Sequence, residues 1–195
     1  MVALRKPLAR MTVAEFIAWH PGKDDGRWQL VDGEPVLMAP TSETHGAILG
    51  ELAALLRNHL VERANPCRVI VTPGIVPRVR ANENFRIPDL GVTCAPPGSG
   101  YAVPETVLLA EVLSPRNEAQ TRTNVWAYTT IPSVRDILLV HSTRVGAELL
   151  RRGPDGLWPE EPMLLGPQDR LVLDGVAGFE VPLMALYRTT PLAAG

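Results

Sequence analysis

The chain has 195 residues, 46% apolar and 21% charged, enough for one domain with a substantial core and nothing that requires two. A formal charge of -2 excludes a generally basic nucleic-acid-binding surface, so phosphate contacts would have to come from local arginines. Of the 19 basic residues only Lys6 and Lys23 are lysine; codon usage and bidentate phosphate binding are both explanations of the arginine excess.

Thr12-Val13-Ala14-Glu15 has the form of a capping box, which predicts a short helix to about His20, stopped by Pro21-Gly22. Residues 1–11 read as an N-terminal tail. Asp32-Gly33 between the apolar runs 27–31 and 35–39 predicts a β-hairpin turn. Ile48, Leu49, Leu52, Leu55, Leu56 and His59 recur at helical spacing, predicting an amphipathic helix from Ser42 to about Glu62 that Asn65-Pro66 closes. Short β-rich runs are expected at 67–72 and 74–80, a polar irregular stretch at 82–84, and further runs at 88–93 and 105–113. A helix from about Asn117 to Thr129 and an apolar strand over 134–140 follow, then a β-rich C-terminal meander and a tail at 189–195. Cys67 and Cys94 are too few for a disulfide framework and have no metal-ligand spacing, so a reducing cytoplasm is expected. No secretory segment or apolar run of membrane-spanning length is apparent.

Two acidic residues carry the chemistry. Asp89 follows Ile87-Pro88, and Glu111 lies inside the apolar run Leu108-Leu109-Ala110-Glu111-Val112-Leu113. On adjacent strands they would present paired carboxylates to a divalent cation. Taken singly, each also has a plain reading: Asp89 as a turn cap and Glu111 as a solvent-facing strand end. The run around Glu111 looks buried on both faces, and a buried carboxylate needs a partner or a metal. Asn117, Thr121, Asn124 and Tyr128 share one helical face, although Asn117 could equally be an N-cap with Gln120 as its partner. Arg122 falls on a different side. His45 starts the apolar stripe of the long helix, where it is either a metal ligand or general base, or a core histidine. Alternation puts Arg78 and Arg80 on one strand face; with Arg86 they form a local basic group, either phosphate-binding or simply solvated.

Trp28-Gln29-Leu30-Val31-Asp32-Gly33-Glu34, Ser42-Glu43-Thr44-His45, Pro88-Asp89, Glu111-Val112-Leu113-Ser114-Pro115, Tyr128 and Ile131-Pro132-Ser133-Val134-Arg135-Asp136-Ile137 occur in the order that characterises the Uma2 family. The chain resembles that family over about residues 12–185, and the family in turn resembles restriction endonucleases of the PD-(D/E)XK superfamily. The resemblance implies an α/β (α+β) single domain over 12–188, with a mixed central sheet flanked by helices, an N-terminal hairpin and a β-rich C-terminal meander. It implies Asp89 and Glu111 as ligands of Mg²⁺ or Mn²⁺, with the Val112 carbonyl as a third, and Ser114 and Tyr128 in support. The superfamily lysine would stand at Leu113; the lysine of Uma2 proteins, four residues before the tyrosine, is Asn124 here. Gln29 stands where the family usually has glutamate. One acid and one base are thus lost together, and charge compensation between positions 29 and 124 is the expectation. The function implied is a metal-dependent endonuclease of reduced rate acting on nucleic acid. The alternative is a non-catalytic module binding nucleic acid or protein, as a homodimer.

Overall fold

The computed structural model describes residues 10–19 and 26–194. Thr12 caps helix α1 (Val13–Ala18): its side chain accepts from the Glu15 N–H while Glu15 reaches back to the Thr12 N–H, a complete capping box. Trp19 is the C-cap; His20, Pro21 and Gly22 lie outside the described residues. Strands β1 (Trp28–Val31) and β2 (Glu34–Leu37) form the expected hairpin. Its turn has Asp32 and Gly33 both at positive φ, 48° and 82°, the conformation that Asp-Gly adopts at least cost. Helix α2 (Glu43–Glu62) buries Ile48, Leu52, Leu56 and Leu60 on one stripe.

The central sheet has six strands in the order β3-β4-β5-β6-β7-β8. These are β3 (Arg68–Val71), β4 (Leu90–Thr93), β5 (Thr106–Leu113), β6 (Asp136–His141), β7 (Ala147–Arg151) and β8 (Met163–Leu165). All neighbours are antiparallel except β5 and β6, which are parallel and joined through helix α3 (Glu118–Thr129). A parallel pair needs such a crossover, which lays α3 on one face of the sheet. Strand β5 divides the core by alternation. Leu108, Ala110 and Val112 join a cluster with α2 and the C-terminal segments, including the hairpin β9 (Arg170–Leu173) and β10 (Phe179–Pro182). Leu109 and Leu113 pack with Tyr128, Ile137 and Leu139 in a second cluster on the α3 side. The mixed sheet flanked by helices is the fold class that the sequence implied, and no helix among the described residues is long and apolar enough to cross a membrane.

Three expectations are corrected. Residues 74–80 form no strand: Gly74 and Ile75 make only isolated bridges, and turn and bend geometry follows through Arg80. Pro73 and Pro77 withhold the N–H groups that a ladder would require. The C-terminal segment is not a loose tail, since Thr190 is buried, Leu192 packs against the core and Pro191–Ala194 is a 3-10 turn. Cys67 and Cys94 are disulfide-bonded, with Cα atoms 4.0 Å apart. Extending the β3–β4 register by one residue beyond Arg68↔Thr93 makes them cross-strand partners, which their spacing in sequence does not reveal. The cysteines therefore no longer argue for a reducing compartment.

The bond closes a loop with a sequence separation of 27. Reduction, or the double change Cys67→Ser and Cys94→Ser, is expected to lower unfolding free energy by about 2–4 kcal/mol. Urea titrations with and without reductant measure the difference, and a stabilised reduced form would contradict it.

Candidate functional site

The register that builds the sheet also builds the cleft. Leu90 pairs with Ala110 in the antiparallel β4–β5 ladder, so Asp89, one step before β4, faces Glu111. Directly opposed residues project to the same side of a sheet. Here that is the α3 side, where a carboxylate interrupts the alternation of Leu109 and Leu113. Both acids are buried, 4% exposed each. The cleft they line also takes in Arg27, Gln29, Thr41, His45, Asn117, Gln120, Thr121 and Asn124.

Each carboxylate is held from behind. Asp89 Oδ2 accepts the Val112 N–H at 2.8 Å, while its own carbonyl accepts from the Thr72 N–H. Glu111 Oε1 accepts from the Tyr128 hydroxyl at 2.7 Å, and its carboxyl also accepts from the Asp89 N–H and from Asn124. Burial, and then the neighbouring Asp89 charge, push Glu111 up from 4.5 to about 8, further than these donors can offset. The same burial, together with the Glu111 charge, raises Tyr128 well above 10 and keeps it a donor. His45 Nε2 stands at ion-pair distance, 3.2 Å, from Asp89 Oδ1, is buried, and among the described residues has no hydrogen-bond partner. The Ser42 hydroxyl accepts from the His45 N–H at the start of α2, which fixes where the imidazole enters the cleft.

The two positions at which the resemblance implies lost charges, 29 and 124, meet. Asn124 Nδ2 lies 3.4 Å from Gln29 Oε1, a weak donor–acceptor contact across 95 residues of sequence. On its other side Asn124 Oδ1 accepts from Arg86 Nη1 at 3.0 Å, and Arg86 Nη2 donates to Asn84 Oδ1 at 2.9 Å. A guanidinium cannot accept a hydrogen bond, so it fixes the amide with its donor end towards Gln29 and Glu111. Arg86 is 3% exposed, and burial presses its guanidinium below the usual value. It is committed to this interior network and does not form the basic face expected with Arg78 and Arg80. Arg80 pairs with Asp32 at 3.6 Å, and Arg78 is exposed in a segment that is not a strand.

Asn117 takes the N-cap position of α3 without a capping bond; its Oδ1 accepts from the Ser114 N–H and its Nδ2 lies 3.4 Å from the Val112 carbonyl. Arg122 turns away to Glu118 and Glu148. Arg27, Thr41 and Gln120 also line the cleft; no periodicity or motif marks Arg27 or Thr41, and Gln120 stood out only as a capping partner for Asn117.

The Uma2 family model, described as a putative restriction endonuclease, matches residues 13–185. The chain belongs to the Uma2 family. Among solved structures it is similar to a putative nuclease belonging to DUF820 from Anabaena variabilis, with a TM-score of 0.71, 14% identity, and coverage of 91% of this chain and 97% of that one. At that identity the likeness is one of fold. No curated protein matches the sequence.

The donor set fits a hard divalent cation in its leanest form. Among the described residues no group of three or more His, Cys, Asp and Glu side chains is placed to hold a metal. Two carboxylates with water and a substrate oxygen nevertheless suffice for Mg²⁺, and Gln29 Oε1 adds a neutral oxygen. The cleft holds about 30 Å³ of free space, room for an ion or a water but not for a nucleotide.

Two measurements probe this arrangement. The folded Glu111 carboxyl keeps its proton to about pH 8, whereas an unfolded chain releases it near 4.5. Its contribution to stability is therefore complete below pH 4.5 and disappears as pH rises to 8. Glu111→Gln should flatten that decline in metal-free melting curves and be the more stable protein at alkaline pH; parallel wild-type and variant curves would refute the assignment. In a double-mutant cycle, Gln29→Glu alone should destabilise the protein more than Gln29→Glu combined with Asn124→Lys, with a coupling of about 1 kcal/mol or more. Additive effects would show that positions 29 and 124 changed independently.

Proposed function

We propose that the chain hydrolyses nucleic-acid phosphodiester bonds with Mg²⁺ or Mn²⁺ held by Asp89 and Glu111. The observation that carries this reading is the facing of two buried carboxylates, whose mutual repulsion only a proton or a cation relieves. Gln29 Oε1 completes the side-chain oxygens. The Val112 carbonyl, 3.4 Å from the Asn117 amide nitrogen, is the backbone oxygen that the family scheme would add. A divalent cation supplies Lewis acidity towards a phosphoryl oxygen and a more acidic water.

The chain's own groups do the rest. Tyr128 donates to Glu111 Oε1 and leaves the second oxygen for the cleft. The Val112 N–H holds Asp89 in the same way. His45 Nε2, buried beside Asp89 Oδ1 with no hydrogen bond of its own, is the proton acceptor for an attacking water. Asn124, oriented by Arg86, offers a neutral N–H donor where family members carry an ammonium. Loss of one well-placed electrostatic donor costs on the order of 10²–10³ in rate, so turnover is slow. The substrate is nucleic acid, and the catalytic unit is the single described domain, whether it acts alone or in a homodimer.

Calorimetry with Mn²⁺ and cleavage assays on single- and double-stranded DNA and RNA provide the test. Wild type is expected to bind the ion and cut slowly, Asp89→Ala to do neither, and Gln29→Glu with Asn124→Lys to cut faster by about 10²-fold. A wild type that binds no divalent cation would instead identify a non-catalytic binding module.

A further inference from the structure

Most arginines near the cleft are already engaged. Arg86 is buried against Asn84 and Asn124, Arg80 pairs with Asp32, Arg122 pairs with Glu118 and Glu148, and Arg144 Nη2 contacts His141 Nε2 at 2.8 Å. Arg27 and Arg116 differ. Both are exposed, and among the described residues neither side chain makes a hydrogen bond or ion pair. Their positions are not scattered. Arg27, just before β1, lines the carboxylate cleft and is the one permanent cation in its lining among the described residues. Arg116, between β5 and α3, lines a groove of about 500 Å³ whose other walls include Thr41, Ser42, Ser114, Ser142 and Thr143. Among the described residues no acidic side chain lines that groove, and Thr41 belongs to both cavities, which makes them neighbours along one surface.

The sizes of the two cavities define what each can hold. The cleft admits an ion or a water, so a nucleotide chain must lie across its mouth. The groove is large enough for a stretch of sugar-phosphate backbone; Ser142 donates to the Leu113 carbonyl, but the hydroxyls of Thr41, Ser42, Ser114 and Thr143 and the lone arginine are the donors that phosphate oxygens use. On a chain of net charge -2 there is no long-range field to hold a polyanion, and the attraction must come from such local unpaired guanidinia.

We propose that Arg27 and Arg116 clamp one nucleic-acid strand across the carboxylate pair, Arg27 at the phosphate over the cleft and Arg116 at a neighbouring phosphate in the hydroxyl-lined groove. This rests on the phosphodiesterase reading above and adds the strand path and its anchors. Arg27 also returns to the cleft a positive charge that Asn124 does not carry. The clamp makes contacts to phosphate and none to bases, so it holds any sequence equally.

The test is fluorescence anisotropy with labelled single-stranded DNA, RNA and duplex DNA in EDTA, over a range of salt, using wild type, Arg27→Gln, Arg116→Gln, Arg116→Lys and Arg63→Gln. Arg63 ends α2, a helix of 20 residues and about 30 Å in length, at the end opposite the groove, and serves as the control. Each clamp variant should bind about tenfold more weakly at low salt and lower the salt slope by about one. Arg116→Lys should keep the slope, and Arg63→Gln should match wild type, with melting temperatures unchanged throughout. Wild-type-like binding by both Gln variants, or an equal loss in Arg63→Gln, overturns the clamp while leaving the phosphodiesterase reading intact. A wild type that neither binds any of the three probes nor cuts them with Mn²⁺ overturns both.

Discussion

Two buried carboxyl groups, one at the entry to β4 and one on β5, turned to the same side of a sheet and covered by a helix, are the constraint around which this fold is arranged. In an apolar interior such a pair is costly, and four nearby donors help to offset it. The Val112 N–H, the Asp89 N–H, the Tyr128 hydroxyl and the Asn124 amide all donate to it. These donors still leave Glu111 holding its proton to about pH 8. Burial here stores an affinity for positive charge in a form that sheet geometry alone maintains.

The neutral amides at positions 29 and 124 belong to the same balance. A glutamate at 29 would add a third acid to a buried pair, and a lysine at 124 would have to share its space with the Arg86 guanidinium that Asn124 now accepts from. With both neutral, the amides satisfy one another weakly and Arg86 satisfies Asn124 strongly, so no ionised group at either position is stranded. Asn124 is the hinge of this arrangement: one end binds an interior cation and the other faces the cleft.

Much of this was legible in the residues. The continuous apolar run around Glu111 indicated a buried carboxylate, and steps of three and four residues placed Thr121, Asn124 and Tyr128 on the face that meets it. The Asp-Gly turn and the Thr12 capping box each act within four residues, and both appear as expected. What failed depended on distant partners. Arg86 reads as a surface cation because nothing local reveals Asn84 and Asn124 closing over it, and Cys67 and Cys94 read as separate because only the β3–β4 register brings them together. Arg78 and Arg80 were placed on a strand by alternation, which prolines at 73 and 77 override. Arg27 and Thr41 reach the cleft through the tertiary placement of the first hairpin and of the α2 N-terminus, which no periodicity records.

The cross-strand disulfide bears on the cleft although it lies at the far end of the ladder. Cys94 is five residues along the chain from Asp89, about 17 Å in an extended strand, and Cys67 fastens it to the start of β3. A slip of one residue in β4 would turn Asp89 to the opposite side of the sheet and separate it from Glu111. The covalent bond opposes that slip relative to β3, while the β4–β5 ladder, whose register shifts between Val92 and Thr93, sets the facing of Asp89 and Glu111. Strand registration, usually left to weak side-chain preferences, is here pinned on one edge by a covalent bond, like a zip locked at its base, on the strand whose other end presents Asp89.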